Sequence, residues 1–301
     1  MKTRLILIVT VLIFTLVLAM AGCSGNDAEE KKVVVASKPF TESYILAEII
    51  AGLIENNTDI TVDRKMGIGG GTSNIQPAME SGEIDIYPEY SGTGWLFVLK
   101  RESITDNAAM MENLKKEYSE LYGIKWFDVY GFNDTFALAV KRSFAEEKGL
   151  KTYSDLAAVS GELRFASEYD FYEREDGYPG LVETYGFAFK ETKDVDIGLK
   201  YQAIASDEVD VINVFSTDAL LLTHDLSVLE DDKNFFPPYY AATLIREDTL
   251  EKYPELGEVL DSLTGMISND EMIAMNSAVD NDKKDPKAVA EEFLRSKGLI
   301  E

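Results

Sequence analysis

Four groups of aromatic residues beside turn-forming residues are the side chains of this 301-residue chain best suited to hold a ligand. They are Tyr87-Pro88-Glu89-Tyr90-Ser91-Gly92-Thr93, Asn133-Asp134-Thr135-Phe136, Phe215-Ser216-Thr217 and Phe235-Phe236-Pro237-Pro238-Tyr239-Tyr240. Rings often fill cores, but most of these fall where strands begin or end, and open α/β sheets bind ligands beyond the strand ends. Pro237-Pro238 stiffens the backbone and presents the ring that follows at little entropic cost. Covalent and metal chemistry is short of parts. One His and one Cys leave no disulfide, no Cys/His zinc site and hardly a Ser-His-Asp arrangement.

The remaining candidates have plainer readings. The tract Gly67-Ile68-Gly69-Gly70-Gly71-Thr72-Ser73 lacks the Lys of a phosphate-binding loop and the third Gly of a dinucleotide fingerprint, so it reads as a turn with Thr72 capping a helix. Residues 280–285 lack the central Gly and closing Glu of a calcium loop. His224 reads as a surface turn. Glu83 and Asp85 alternate as they would on one face of a strand, and an exported hydrolase using such a carboxylate pair is the rival class. No cofactor and no metal are expected.

Alternating strands and helices must position these side chains. The β-branched run 32–37 feeds an amphipathic helix beginning near Thr41, read as its N-cap, with apolar Ile45, Leu46, Ile49, Ile50, Leu53 and Ile54. Strands at 59–66 and 83–87 with the intervening helix complete a βαβαβ unit, which implies parallel strands and right-handed crossovers. Alternation resumes after Gly131, with strands at 135–140, 163–166 and 209–214 and helices at 154–159 and 181–185. The last part is helical: 248–264 with a break at Pro254, 270–278, and a helix opened by Asp285-Pro286. Two α/β lobes are expected.

Composition narrows the partners. The chain has 29 basic and 54 acidic residues, a net charge of −25, and 46% hydrophobic residues, which together describe an acidic globule and exclude a phosphate-neutralising nucleic-acid binder. The N-terminus reads as an address. Lys2 and Arg4, an apolar run and Ala21-Gly22-Cys23-Ser24 make residues 1–22 an export signal, with an uncleaved membrane anchor as the alternative. The position of Cys23 resembles the lipidation site of bacterial lipoproteins, and 23–32 is a polar leash to a lipid anchor on the extracytoplasmic face of the cell membrane.

Taken in order, Ser37-Lys38-Pro39-Phe40-Thr41-Glu42, the stretch 81–93, Asn133-Asp134-Thr135-Phe136-Ala137, Tyr201-Gln202-Ala203 and residues 235–240 resemble the substrate-binding lipoproteins of osmoprotectant ABC importers, the glycine betaine/carnitine/choline group. The resemblance runs from about residue 33 to 300. It implies the type II periplasmic-binding-protein fold, with 33–132 plus 236–301 in one lobe, 133–235 in the other, and two hinge crossings between them. It also implies a quaternary ammonium ligand, a membrane permease as partner, a monomer, and no enzymatic activity. Carried over by position, Tyr90, Phe136, Phe215 and Tyr239 form an aromatic cage, while Lys38, Thr93 and Arg174 face the ligand carboxylate. The alternative for Arg174 is a surface pair with Glu173 or Asp176. Where the family has Tyr, this chain has Phe136 and Phe215, so two hydroxyls are missing and the preferred ligand is left open among glycine betaine, carnitine, choline and proline betaine. A receptor of the same fold for another trimethylammonium compound, such as a betaine of histidine type, or for an amino acid is the alternative.

Overall fold

The computed structural model describes residues 31–301 apart from 103 and 105; the export signal, Cys23 and most of the 23–32 leash lie outside the described residues. The described chain opens with Lys32–Ala36 (β1), Thr41–Asn57 (α1), Thr61–Lys65 (β2), Thr72–Glu80 (α2) and Ile86–Tyr90 (β3), the expected βαβαβ unit. A π-helical turn, Thr93–Val98, leads to Asn107–Tyr122 (α3) and Ile124–Asn133 (β4). Next come Phe136–Lys141 (β5), Arg142–Lys148 (α4), Tyr153–Val159 (α5), Arg164–Ser167 (β6), Tyr169–Glu173 (α6), Tyr178–Tyr185 (α7), Glu191–Asp194 (β7), Lys200–Ala205 (α8), Val211–Phe215 (β8) and Leu226–Val228 (β9). Tyr240–Arg246 (β10), Glu247–Lys252 (α9), Glu255–Asp261 (α10), Asn269–Asp280 (α11) and Pro286–Ser296 (α12) complete it.

Two five-stranded sheets result, ordered β2-β1-β3-β10-β4 and β7-β6-β8-β5-β9. Each is mixed. β1 pairs with β2 and β3 in parallel, and β10 runs antiparallel between β3 and β4. β6 pairs with β7 and β8 in parallel, and β5 runs antiparallel between β8 and β9. The chain passes from the first sheet to the second between Asn133 and Phe136, and returns between Val228 and Tyr240.

Packing fixes the first sheet around α1. Its Ile45, Leu46, Ile49, Ile50, Leu53 and Ile54 are all buried, each contributing about 1.5–3 kcal/mol over exposure. A Cβ on Gly52 would stand 3.0 Å from the Leu294 side chain, so glycine there lets α12 close against α1.

Several local expectations need correction. The third strand is Ile86–Tyr90, not 83–87. A turn at Gly82, with φ of 81°, delays it. Glu83 and Asp85 therefore precede the strand, and Asp85 accepts from the Val34 N–H at 2.7 Å and the Thr249 hydroxyl at 2.9 Å, a structural job. Thr41 is not the cap of α1: Phe40 holds that position in extended conformation, and the Thr41 hydroxyl donates to Asp280. Thr72 likewise sits inside α2, behind Gly71. The helical stretch 248–264 divides at Pro254, which heads α10. Asp285 caps α12 through the N–H groups of Lys287 and Ala288, as the Asp-Pro pair predicts.

Candidate functional site

A cavity of about 300 Å³ opens where β3, β5, β8 and the start of β10 meet, in the size range of small-molecule sites. All seven ligand-binding positions expected from the sequence line it or bond to residues that do: Lys38, Tyr90, Thr93, Phe136, Arg174, Phe215 and Tyr239. Strand pairing sets the rings of the second sheet. Phe136 opens β5, Phe215 closes β8, and the two are direct partners in the ladder with ring centroids 5.1 Å apart. Tyr239 meets Phe136 edge-on at 5.2 Å and 87°.

The two tyrosines are tethered through their hydroxyls. Tyr90 donates to Glu42 Oε1 at 2.7 Å, and Tyr239 donates to Asp176 Oδ2 at 2.5 Å. Glycine is required beneath the second ring, because a Cβ on Gly92 would lie 2.4 Å from Tyr239 Cδ1.

Both candidate cations are already paired. Lys38 Nζ lies 2.5 Å from Glu89 Oε1, and Glu89, fully buried, also accepts from the Thr72 hydroxyl, the Tyr87 hydroxyl and the Tyr90 N–H. Thr72 thus spends its hydroxyl on Glu89 and not on a helix end. Arg174 makes a two-point contact with Asp176, from Nε at 2.7 Å and Nη2 at 2.5 Å. It also reaches Thr93 Oγ1 at 3.3 Å. The expected alternative, a pair with Asp176, is therefore present, but it is a buried one inside the site, with Arg174 only 4% exposed. Burial works against the guanidinium's charge, and the Asp176 carboxylate outweighs it and holds the pKa above the ordinary value. Each cation keeps spare donors: an ammonium has three N–H groups and a guanidinium five. The Arg174 Cζ lies 5.0 Å from the Phe136 centroid and 5.6 Å from that of Tyr239.

Several lining residues have no counterpart in the sequence-based set. Phe40 stacks on Phe215 at 5.4 Å and tilts toward Tyr90 at 6.3 Å, adding a fifth ring. Pro39 and the extended Phe40 backbone place it, and both stand in the Ser37-to-Glu42 motif. Carboxylates also line the cavity: Asp134, Glu168, Asp170, Asp194 and Asp196. Glu168 is bound by Lys200 Nζ at 3.0 Å and by the Asn213 amide; burial alone would raise its pKa, and Lys200 brings it below the usual range. Asp170 accepts from the Ser73 hydroxyl at 2.6 Å, a bond that joins α2 of the first sheet's side to α6 of the second's. Burial raises the Asp170 pKa. Gly71, at φ of 54°, allows this approach: its Cβ would lie 3.0 Å from Asp170 Oδ2.

Two mixed sheets joined by two crossings, with a ring-lined cavity at the strand ends, define a solute-binding protein of the type II periplasmic fold. The chain belongs to the family described as the substrate-binding domain of the ABC-type glycine betaine transport system, which matches residues 31–296. Its relatives include an ergothioneine transport permease/ergothioneine binding protein of Helicobacter pylori, 42% identical over 91% of this chain. The chain spans about half of that relative's length, 49%. A carnitine transport binding protein of Listeria monocytogenes is 35% identical over 100% of this chain and 99% of its own. A crystal structure of a glycine betaine/carnitine/choline ABC transporter is 33% identical, with a TM-score of 0.67 over 89% of this chain and 100% of that one. The family is one of substrate-binding proteins of ABC transporters and not of enzymes.

Proposed function

We propose that the chain is the extracytoplasmic receptor of an ABC importer, taking a trimethylammonium carboxylate between its sheets and handing it to a membrane permease. The observation that carries this reading is the set of rings around one cavity, Phe40, Tyr90, Phe136, Phe215 and Tyr239, with two cations beside it. A trimethylammonium group donates no ordinary hydrogen bond, and ring faces hold it best, each contributing about 0.5–2 kcal/mol according to desolvation. Spare N–H groups of Lys38 and Arg174 and the Thr93 hydroxyl take the ligand carboxylate. Their charges are already balanced by Glu89 and Asp176, so they act as oriented donors more than as net charge. Micromolar capture needs about −8 kcal/mol, within reach of several rings and one such grip after ordering costs.

Residues 33–132 with 236–301 form one lobe and 133–235 the other, closing on the ligand at the two crossings. Sheet membership on either side of those crossings supports the division. Cys23 carries the lipid that tethers the receptor, and the receptor works as a monomer.

A betaine bearing N–H donors, such as ergothioneine, is the second reading. It is favoured by the carboxylates Asp170, Asp194 and Asp196 in the cavity lining, which offer acceptors that glycine betaine leaves unused. The 42% identical relative points the same way. Titration calorimetry with glycine betaine, carnitine, choline and ergothioneine separates the readings, and failure to bind any of the four would refute both.

A further inference from the structure

Thr217 stands between two buried carboxyl groups. Its Oγ1 lies 2.5 Å from Glu42 Oε2 and 2.7 Å from Asp134 Oδ1, both hydrogen-bonding distances. A threonine hydroxyl carries one proton and can donate to only one of them. The other contact joins two oxygens and requires a second proton, which must come from a carboxyl. Glu42 and Asp134 are 3% and 4% exposed, and among the described residues neither has a Lys or Arg ion-pair partner.

The surrounding groups leave that requirement in place. Tyr90 donates to Glu42 Oε1, Asn276 Nδ2 donates to Glu42 Oε2 at 3.1 Å, and the Thr217 N–H donates to Asp134 Oδ1 at 3.2 Å. The next charged groups are engaged elsewhere. Asp218 accepts from the Tyr201 hydroxyl and the Phe215 N–H, Asp280 accepts from Thr41, and Lys200 is held by Glu168 and Asn213. Lys38, 5.1 Å from the Tyr90 centroid, pairs with Glu89. Asn276 Oδ1 is buried without a partner among the described residues, so the junction offers no surplus of donors.

We infer that Glu42, Thr217 and Asp134 share one proton, that this unit positions the ring of Tyr90 in the cage, and that closing the cleft on a ligand therefore takes up a proton. Glu42 belongs to the first turn of α1 and Tyr90 to the end of β3. Asp134 lies in the outward crossing and Thr217 just beyond β8, so the unit draws its members from both sheets' sides and from the crossing between them. The coupling to ligand rests on the capture reading above; the shared proton does not.

The direction of the pH effect follows. Burial, opposed by the Thr217, Tyr90 and Asn276 hydrogen bonds, raises Glu42 to about 7, and burial with Glu42 beside it raises Asp134. A carboxyl freed into water in the open cleft returns to its ordinary range near 4.3. Between that range and about 7 the closed form holds the extra proton. Affinity there falls as pH rises, by at most about tenfold per pH unit for one proton, and levels off above it.

The test is calorimetry of the full chain with carnitine and ergothioneine at about pH 6, in buffers of different ionisation enthalpy, repeated across the window. Net proton uptake by wild type, lost in both Glu42→Gln and Asp134→Asn, is expected. Glu42→Gln should bind better than Glu42→Ala and vary less with pH than wild type. Wild-type binding without proton exchange, or uptake undiminished in both variants, overturns the inference. If neither ligand binds, the capture reading fails separately and infrared spectroscopy decides the shared proton. A carboxylic-acid carbonyl band present in wild type and absent from both variants supports it, and no such band in wild type overturns it.

Discussion

Tyr90, at the end of β3, and Tyr239, just before β10, are each tied by a hydroxyl to a buried carboxyl group, whereas Phe136 and Phe215, in paired strands of the second sheet, oppose one another. The hydroxyls of the first pair point to protein groups. The second pair has none and is fixed by register, reinforced by Phe171 against Phe136 at 5.1 Å and by Phe40 against Phe215. The lesson is that strand register and ring packing hold a ring without a hydroxyl, so phenylalanine at these two positions, where the resemblance implies tyrosine, removes hydrogen-bonding options without loosening the rings.

That contrast can be broken at its junction. Arg174 touches both pairs, and Arg174→Ala should have the largest effect, about 3–5 kcal/mol of stability, because it leaves the buried Asp176 charge with only the Tyr239 hydroxyl; a melting curve matching wild type would show that this hydroxyl alone satisfies it. Next is the loss of a tethered ring. Tyr90→Ala and Tyr239→Ala should each weaken ligand binding about tenfold or more, or about 1.4 kcal/mol, as read by calorimetry. Because both hydroxyls satisfy buried carboxyls, these variants should also melt below wild type. Removing only a hydroxyl should do less: Tyr90→Phe should lose about 1 kcal/mol of stability through one missing hydrogen bond, with the ring retained. The smallest effect belongs to the second sheet. Phe136→Tyr keeps the ring face and should change overall affinity by less than about 1 kcal/mol while altering the ranking of ligands in the same calorimetric series. An equal cost for Tyr90→Phe and Phe136→Tyr would erase the distinction between tethered and register-held rings.

The alternation of strand and helix was legible because strands such as β1 and β8 are short β-branched runs and α1 is an apolar stripe. So were the four rings, the two cations and Thr93, through the resemblance that ordered them. Asp176 could be named as a partner of Arg174 because it lies two residues away. Glu89 could not be assigned to Lys38, since the two are 51 residues apart and meet only when β3 lies beside β1. Ile84 and Ile86 alternate as a strand should, which puts the expected third strand three residues before its start at Ile86; the turn at Gly82 sets that start. Phe40 and Glu42 both stand in the Ser37-to-Glu42 motif, whose pattern alone assigns neither a role. The available signal was Glu42 itself, an acidic residue in the first turn of a helix buried on nearly every side.

The guanidinium of Arg174 rests against Phe136, Tyr239 and also Phe97, at 5.4 Å from the last. Fixed there by Asp176, it acts as a strut between the rings. Apolar walls left to themselves would collapse on one another, and an incoming molecule would then have to pry them apart. With the strut in place the chamber keeps its shape, and the work of making room is done when the chain folds.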